Sequence, residues 1–344
     1  MTMMTAANGP AVARTAPLLQ VDDLKVHFPA GRKGAFGPHR VVHAVDGVSF
    51  TVPRGGTFGI VGESGSGKST TALAVMRLAP VSAGHIRLGD QPLSELSGAG
   101  LRAARRDVQM IFQDPFSSLN PRRRAAEAIR EPLDRLGIGT TSERAARVAS
   151  LIDAVGLPQS AGGLFPHQFS GGQRQRICIA RALASSPSLV VCDEAVSALD
   201  VAIQAQILNL LRRLQDELGL TYVFISHDLG VVQHICSEVA VMYLGRIVER
   251  APTTSLFTRP RHPYTWSLMS AAAPAGPLRD ELKRRFLVVG EPPSPIDPPP
   301  GCRFAGRCPF ADDRCRTETP LERAMSPGHY VACHHAEKID GPAI

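Results

Sequence analysis

Residues 57–70 read Thr57-Phe58-Gly59-Ile60-Val61 followed by Gly62-Glu63-Ser64-Gly65-Ser66-Gly67-Lys68-Ser69-Thr70, and this stretch decides the fold. The first five favour a buried strand, and from Thr70 to Leu78 the apolar spacing becomes helical. Between them lies G-x-x-x-x-G-K-[ST], a phosphate-binding loop in the strand–turn–helix setting that such a loop requires. Its glycines let the backbone wrap a polyphosphate closely, with successive N–H groups pointing inward. The helix N-terminus adds partial positive charge at the same place. Lys68 is placed to reach the β- and γ-phosphates, and the Ser69 hydroxyl to ligate Mg²⁺.

Outward from this loop, strands and helices alternate. Short Val- and Leu-rich runs at Leu18–Val26 and Val41–Val52 read as strands, separated by a Gly/Pro/basic loop over Pro29–His39. Residues 122–185 are mostly helical in pattern, and Leu189–Cys192 is apolar throughout, as a central parallel strand is. A helix over Ala202–Glu217 and a strand over Tyr222–Ser226 complete an α/β alternation. Asp193 follows the apolar strand directly, at the carboxyl end where open α/β sheets place their ligands. It is expected to hold Mg²⁺ through water, with adjacent Glu194 as general base toward an attacking water.

The 344 residues suggest two or three domains, and 44% hydrophobic with 20% charged residues excludes global disorder. No apolar run approaches a membrane-spanning length, and Met1–Thr15 lacks the pattern of a secretory signal. The net charge of +7 is modest for this length and selects no partner. Residues 1–16 read as a loose tail. Beyond residue 270 the composition changes: 12 of residues 271–344 are proline, and Cys302, Cys308, Cys315 and Cys333 crowd the end. This reads as a proline-rich linker and a small C-terminal domain with too little apolar sequence for its own core. Four thiolates there suit tetrahedral zinc or a four-iron cluster, with His334 and His335 as further candidates. Cys178, Cys192 and Cys236 stand in apolar surroundings and read as buried structural residues.

Between the two acidic and phosphate-binding motifs stands Phe169-Ser170-Gly171-Gly172-Gln173, running into a helix. This resembles the signature motif of ATP-binding-cassette proteins, and the other motifs follow in the family's order. Gln113 resembles the Q-loop glutamine, Ser197-Ala-Leu-Asp200 the D-loop, and His227 in Phe-Ile-Ser-His-Asp the switch histidine. The resemblance implies a RecA-like P-loop nucleotide-binding domain over residues 17–270, with a helical signature subdomain at about 114–180. It implies ATP and Mg²⁺ as ligands, with Gln113 near the metal and Phe28 on the adenine by position. Two departures are visible: Phe169 where the family carries Leu, and Ala195-Val196 where many members have Pro-Thr.

A narrower resemblance rests on Val196–Gln206, Met242–Glu249, His262-Pro-Tyr-Thr265, Gly301–Pro309 and Val331–His334. These are similar to the dipeptide, oligopeptide and nickel importer branch. That likeness implies an ATPase on the cytoplasmic membrane face, paired with a paralogous subunit in a heterodimer. Two permeases and an extracytoplasmic binding protein complete the assembly in that branch, with no nucleic acid involved. It also implies a four-iron four-sulfur cluster on the four C-terminal cysteines. Import of nickel or another small solute is the alternative, and a non-transport cassette acting on nucleic acid a more distant one.

Overall fold

The computed structural model describes residues 16–32, 39–272 and 290–339. Most of the expected tail, the middle of the basic loop and residues 273–289 of the linker lie outside them. Strands β1 (Pro17–Arg32), β2 (His39–Pro53) and β4 (Ala83–Leu88) form an antiparallel sheet in the order β2-β1-β4. The main sheet is built on β3 (Thr57–Val61), β5 (Val108–Ile111), β6 (Leu189–Asp193), β7 (Thr221–Ser226) and β8 (Glu238–Tyr243). It continues through β9 (Arg246–Pro252), β10 (Arg323–Ser326) and β11 (His329–Val331), in the order β10-β11-β9-β8-β3-β7-β6-β5.

The strands from β8 to β5 are parallel, and every residue of β3 and β7 is buried. This is why they read as continuous apolar runs rather than alternating ones. Helix α1 (Lys68–Val75) leaves the phosphate loop, and α2 (Gly98–Ala104) precedes β5. Four helices stand between β5 and β6: α3 (Pro115–Ser118), α4 (Ala125–Leu136), α5 (Thr141–Ala154) and α6 (Gly171–Leu183). After β6 come α7 (Val201–Leu218), α8 (Leu229–Ile235), α9 (Thr253–Thr258), α10 (Pro263–Ala272) and α11 (Asp313–Thr317). One core joins the small sheet to one face of the main sheet, where Phe50 stacks on Phe58 at 4.6 Å. A second core joins the other face to α4–α8.

The C-terminal region, read from sequence as a domain set apart, continues the main sheet. Tyr330 and Val331 of β11 pair with Arg250 and Glu249 of β9. Phe304 is buried against Tyr243 at 5.2 Å and Tyr264 at 5.4 Å. A segment too poor in apolar residues for its own core has placed its aromatic in the core of its neighbour. The junction centres on Glu249, which is fully buried. Its carboxylate accepts from the Arg261 N–H (2.7 Å), the His262 N–H (3.0 Å), the Thr265 hydroxyl (2.5 Å) and His329 Nε2 (2.8 Å). The linker also touches the cassette: Ile296 bridges Val42, and the His43 N–H donates to the Pro295 carbonyl at 2.9 Å.

Candidate functional site

The phosphate loop leaves β3 under close steric constraint. A Cβ on Gly62 would stand 2.2 Å from the Met242 carbonyl, and one on Gly67 would stand 2.2 Å from that of Ala44. Both residues also have positive φ, so glycine is required twice over. Lys68, the first residue of α1, turns back over the loop. Its ammonium donates to the carbonyls of Gly62 and Glu63, each at 2.8 Å. Burial pulls its pKa below the usual lysine value, and Glu194, Asp193 and Glu63 oppose that pull.

Asp193 ends β6, and its Oδ1 accepts from the Ser69 hydroxyl at 3.0 Å. Burial raises its carboxyl pKa, with the Ser69 bond opposing. Glu194 has a φ of 48°. A non-glycine residue there carries about 1–3 kcal/mol of strain, and such residues cluster at functional sites. The strained turn is held by the Glu194 N–H donating to Ile225 (2.9 Å) and the Ser197 hydroxyl donating to the Glu194 carbonyl (3.0 Å). It lets two successive acids serve one cleft. Asp193 faces Ser69, while Glu194 accepts from Gln113 Nε2 at 2.8 Å and lies 3.2 Å from His227 Nδ1.

The cleft of about 610 Å³ therefore gathers Ser64, Gly65, Gly67, Lys68, Ser69, Thr70, Gln113, Glu194 and His227 from four separate stretches of chain. That volume lies within the range of small-molecule sites. Lys68 and the phosphate-loop amides stand on one side, with a carboxylate, an amide and an imidazole on the other. This can hold a polyphosphate and deprotonate a water beside it.

Three expected site elements sit elsewhere. Phe28 pairs with Val42 across the β1–β2 hairpin and packs partly against the adjoining core. Val42, Ala44 and Pro295 form the cleft wall on that side, so the aromatic assigned by position stands one strand away. Ser170, Gly171, Gly172 and Gln173 open α6 outside this cleft. The Gln173 N–H donates to Ser170 Oγ at 3.3 Å, and the Ser170 N–H donates to Gln173 Oε1 at 3.0 Å. This capping box leaves Ser170 and Gln173 exposed at a separate helix N-terminus, while Gly172 and Arg174 are buried. A Cβ on Gly172 would stand 2.6 Å from Ile203 Cγ2, so the second signature glycine is set by the approach of α7. Asp200 caps α7, accepting from the Ile203 N–H at 2.9 Å.

Sequence reasoning missed four residues around the loop. The Glu63 N–H donates to the Tyr264 hydroxyl at 2.8 Å, and Arg307 forks onto the Glu63 carboxylate at 2.8 and 3.1 Å. Arg303 donates to the Leu244 carbonyl, and Pro295 borders the cleft. The wording His262-Pro-Tyr-Thr265 was the available signal for Tyr264; the arginines stood only beside the cysteines that drew attention.

Cys302, Cys308, Cys315 and Cys333 lie close enough to raise one another's thiol pKa. Burial is the larger cause, pushing Cys333 up to about 11 and Cys308 up to about 12. No three of these sulfurs come within 4.8 Å of one another. His335 Nε2 lies 3.5 Å from Cys315 Sγ, whereas His334 turns away to the Glu318 carbonyl. A separate groove lies over β5 and α6, lined by Met76, Leu78, Phe112, Ser118, Pro132 and Arg181. Among the described residues, no helix is long and apolar enough to cross a membrane.

Comparison with known proteins shows what the whole chain is similar to. Residues 45–197 match the family described as ABC transporter, and residues 248–315 match the oligopeptide/dipeptide transporter C-terminal region. The chain is 48% identical over 335 residues to the oligopeptide transport ATP-binding protein AppF of Bacillus subtilis, covering 96% of this chain and 99% of that protein. It is 50% identical to the probable peptide ABC transporter ATP-binding protein y4tS of Sinorhizobium fredii, covering 92% and 89%. Among solved structures, the ATP-binding cassette MJ0796 bound to ADP and Pi superposes with a TM-score of 0.61 at 27% identity, covering 68% of this chain and 98% of that one. The cbiO1 subunit of a Clostridium perfringens ABC transporter gives a TM-score of 0.60 at 26% identity, covering 70% and 90%.

Proposed function

The chain belongs to the ATP-binding-cassette transporter ATPases, and from that premise we propose that it is the subunit whose ATP hydrolysis drives peptide import. The observation that carries the reading is the convergence of Gln113 and His227 on Glu194, in the same cleft as Lys68 and Ser69. Loop amides and Lys68 bind the β- and γ-phosphates. Ser69, Asp193 and Gln113 would hold Mg²⁺, which would supply charge neutralisation on the phosphate oxygens when bound. A water attacks the terminal phosphorus, its new O–P bond forming as the bond to the ADP oxygen breaks. Its proton passes to Glu194, which Gln113 and His227 hold in place.

Ser170 and Gln173 stand exposed at the α6 N-terminus, outside the Lys68 cleft, where a helix end can take a phosphate; this supports pairing with another cassette across two shared ATP molecules. In the peptide-importer branch the partner is a paralogue, and we assign the same heterodimer here. Two permeases and an extracytoplasmic binding protein complete the complex. The groove between Leu78 and Pro132 is the docking place for a permease helix on the cytoplasmic membrane face. Purified together, these components should stimulate an ATPase that is slow in the isolated chain. Charge reversal along Asp114–Arg135 that leaves coupled and basal rates unchanged would remove the docking assignment.

The four cysteines are proposed to hold a four-iron four-sulfur cluster. Zinc–sulfur bonds of about 2.3 Å in a tetrahedron require sulfurs about 3.8 Å apart. No three of these sulfurs come within 4.8 Å of one another, so they do not stand in that tetrahedron; the cluster reading itself rests on the likeness to the peptide-importer branch. The cluster's role is structural, since it lies beyond the hydrolytic motifs in sequence. Anaerobic purification should yield a coloured protein with about four irons per chain; one zinc and no colour would overturn the assignment.

A further inference from the structure

Glu63 places a carboxylate inside the loop that must bind a polyphosphate, and like charges there oppose binding. The structure answers it from far along the chain. Arg307 donates to both Glu63 oxygens, at 2.8 and 3.1 Å, and its side chain is only 11% exposed. A bidentate guanidinium–carboxylate pair neutralises charge and fixes orientation together. The arginine is itself held tightly. The Arg307 N–H donates to the Phe304 carbonyl (2.9 Å), the Ala305 N–H to Cys302 (2.9 Å), and the Cys302 N–H to Cys315 (2.8 Å). Phe304 is locked among Tyr243 and Tyr264, and the Tyr264 hydroxyl accepts from the Glu63 N–H. Arg303, at the other end of the same turn, holds the Leu244 carbonyl. The next residue, Gly245, donates to the Ser66 carbonyl of the phosphate loop at 2.8 Å.

From this geometry we infer that Arg307 is a positioning residue for ATP: it neutralises Glu63 and holds the phosphate loop in its binding shape. The turn Cys302–Cys308 thereby makes nucleotide affinity depend on the four-cysteine region. The inference rests on the reading of the Lys68 cleft as the ATP site.

The test is ATP affinity of the full-length chain, by calorimetric titration with Mg²⁺, alongside thermal unfolding. Arg307→Met should weaken ATP binding about tenfold, within the range for coupled contacting residues. Arg307→Lys, which keeps the charge but loses the fork, should fall between parent and Arg307→Met. Adding Glu63→Gln to Arg307→Met should restore most of the lost affinity, because the unneutralised charge is gone. A purely structural role for Arg307 would not give that rescue. Arg307→Met binding ATP like the parent, or a double variant as weak as the single one, would overturn the inference. Lys68→Ala separates the two readings. If it abolishes ATP binding while Arg307→Met does not weaken it, the inference alone fails; if Lys68→Ala binds normally, the site reading itself fails.

Discussion

Replacing Glu194 by glutamine removes one proton acceptor and little else. The carboxylate has two neighbours, Gln113 at 2.8 Å on one oxygen and His227 at 3.2 Å on the other. The amide oxygen of the variant still accepts from Gln113, and its NH₂ can donate to the imidazole. The backbone at position 194 lies at φ 48°, a cost that glutamine carries as glutamate does. Fold and ATP affinity should therefore survive. What is lost is general-base catalysis, a factor of about 10² to 10⁴ in rate. At about 1.4 kcal/mol per tenfold, this is roughly 3 to 5 kcal/mol of barrier. The assay is phosphate release by the assembled transporter, with ATP binding measured on the same preparation. Tight ATP binding with turnover reduced at least a hundredfold is the expected pair of results. Turnover at the parent rate would refute Glu194 as the base. Loss of both binding and turnover would show that the side chain shapes the cleft instead.

Three further outcomes follow from the packing. Glu249→Ala strands four donors, one of them His329, around a buried void; chemical denaturation should show a loss of about 3–5 kcal/mol. Gly172→Ala puts a methyl 2.6 Å from Ile203 Cγ2, so it should cost about 1–3 kcal/mol, and Ile203→Ala in the same chain should recover part of that. Burial alone would raise the Asp46 carboxyl, but Arg303, His27 and Arg246 hold it well below the usual range. A depressed folded-state value gives stability that is present above the unfolded-state pKa and lost as pH falls through the folded one. The stability gap between parent and Asp46→Asn should therefore be widest above about pH 4 and close on acidification, measured by urea unfolding across pH.

The parts legible in the sequence were those whose chemistry is local. Thr57–Thr70 carries strand, loop and helix in fourteen consecutive positions; β3 falls where the pattern put it, while α1 runs from Lys68 to Val75, starting two residues before and ending three before the expected Thr70–Leu78. Asp193 was legible because a carboxylate closing an apolar strand has few other reasons to be there. Gln113, Glu194 and His227 came together only through family resemblance, since nothing in periodicity links residues so far apart. Arg307 and Glu63 are 244 positions apart, and no repeat or spacing announces such a contact. The continuation of the main sheet into β11 was hidden for a similar reason: three residues are too few to show a strand period. Phe28 shows how far position along a strand reaches. Position along β1 pointed to the nucleotide, but the hairpin interposes β2, and Val42 takes the wall.

The central claim is that hydrolysis in the Lys68–Glu194 cleft drives peptides across a membrane. The direct measurement is accumulation of a labelled oligopeptide in sealed vesicles carrying the chain with its paralogue and permeases, supplied with binding protein. ATP should drive accumulation with the parent chain, and the Glu194→Gln complex should accumulate none above the no-ATP background. A parent complex that hydrolyses ATP and accumulates nickel but no peptide, or a Glu194→Gln complex that accumulates peptide at the parent rate, would contradict it.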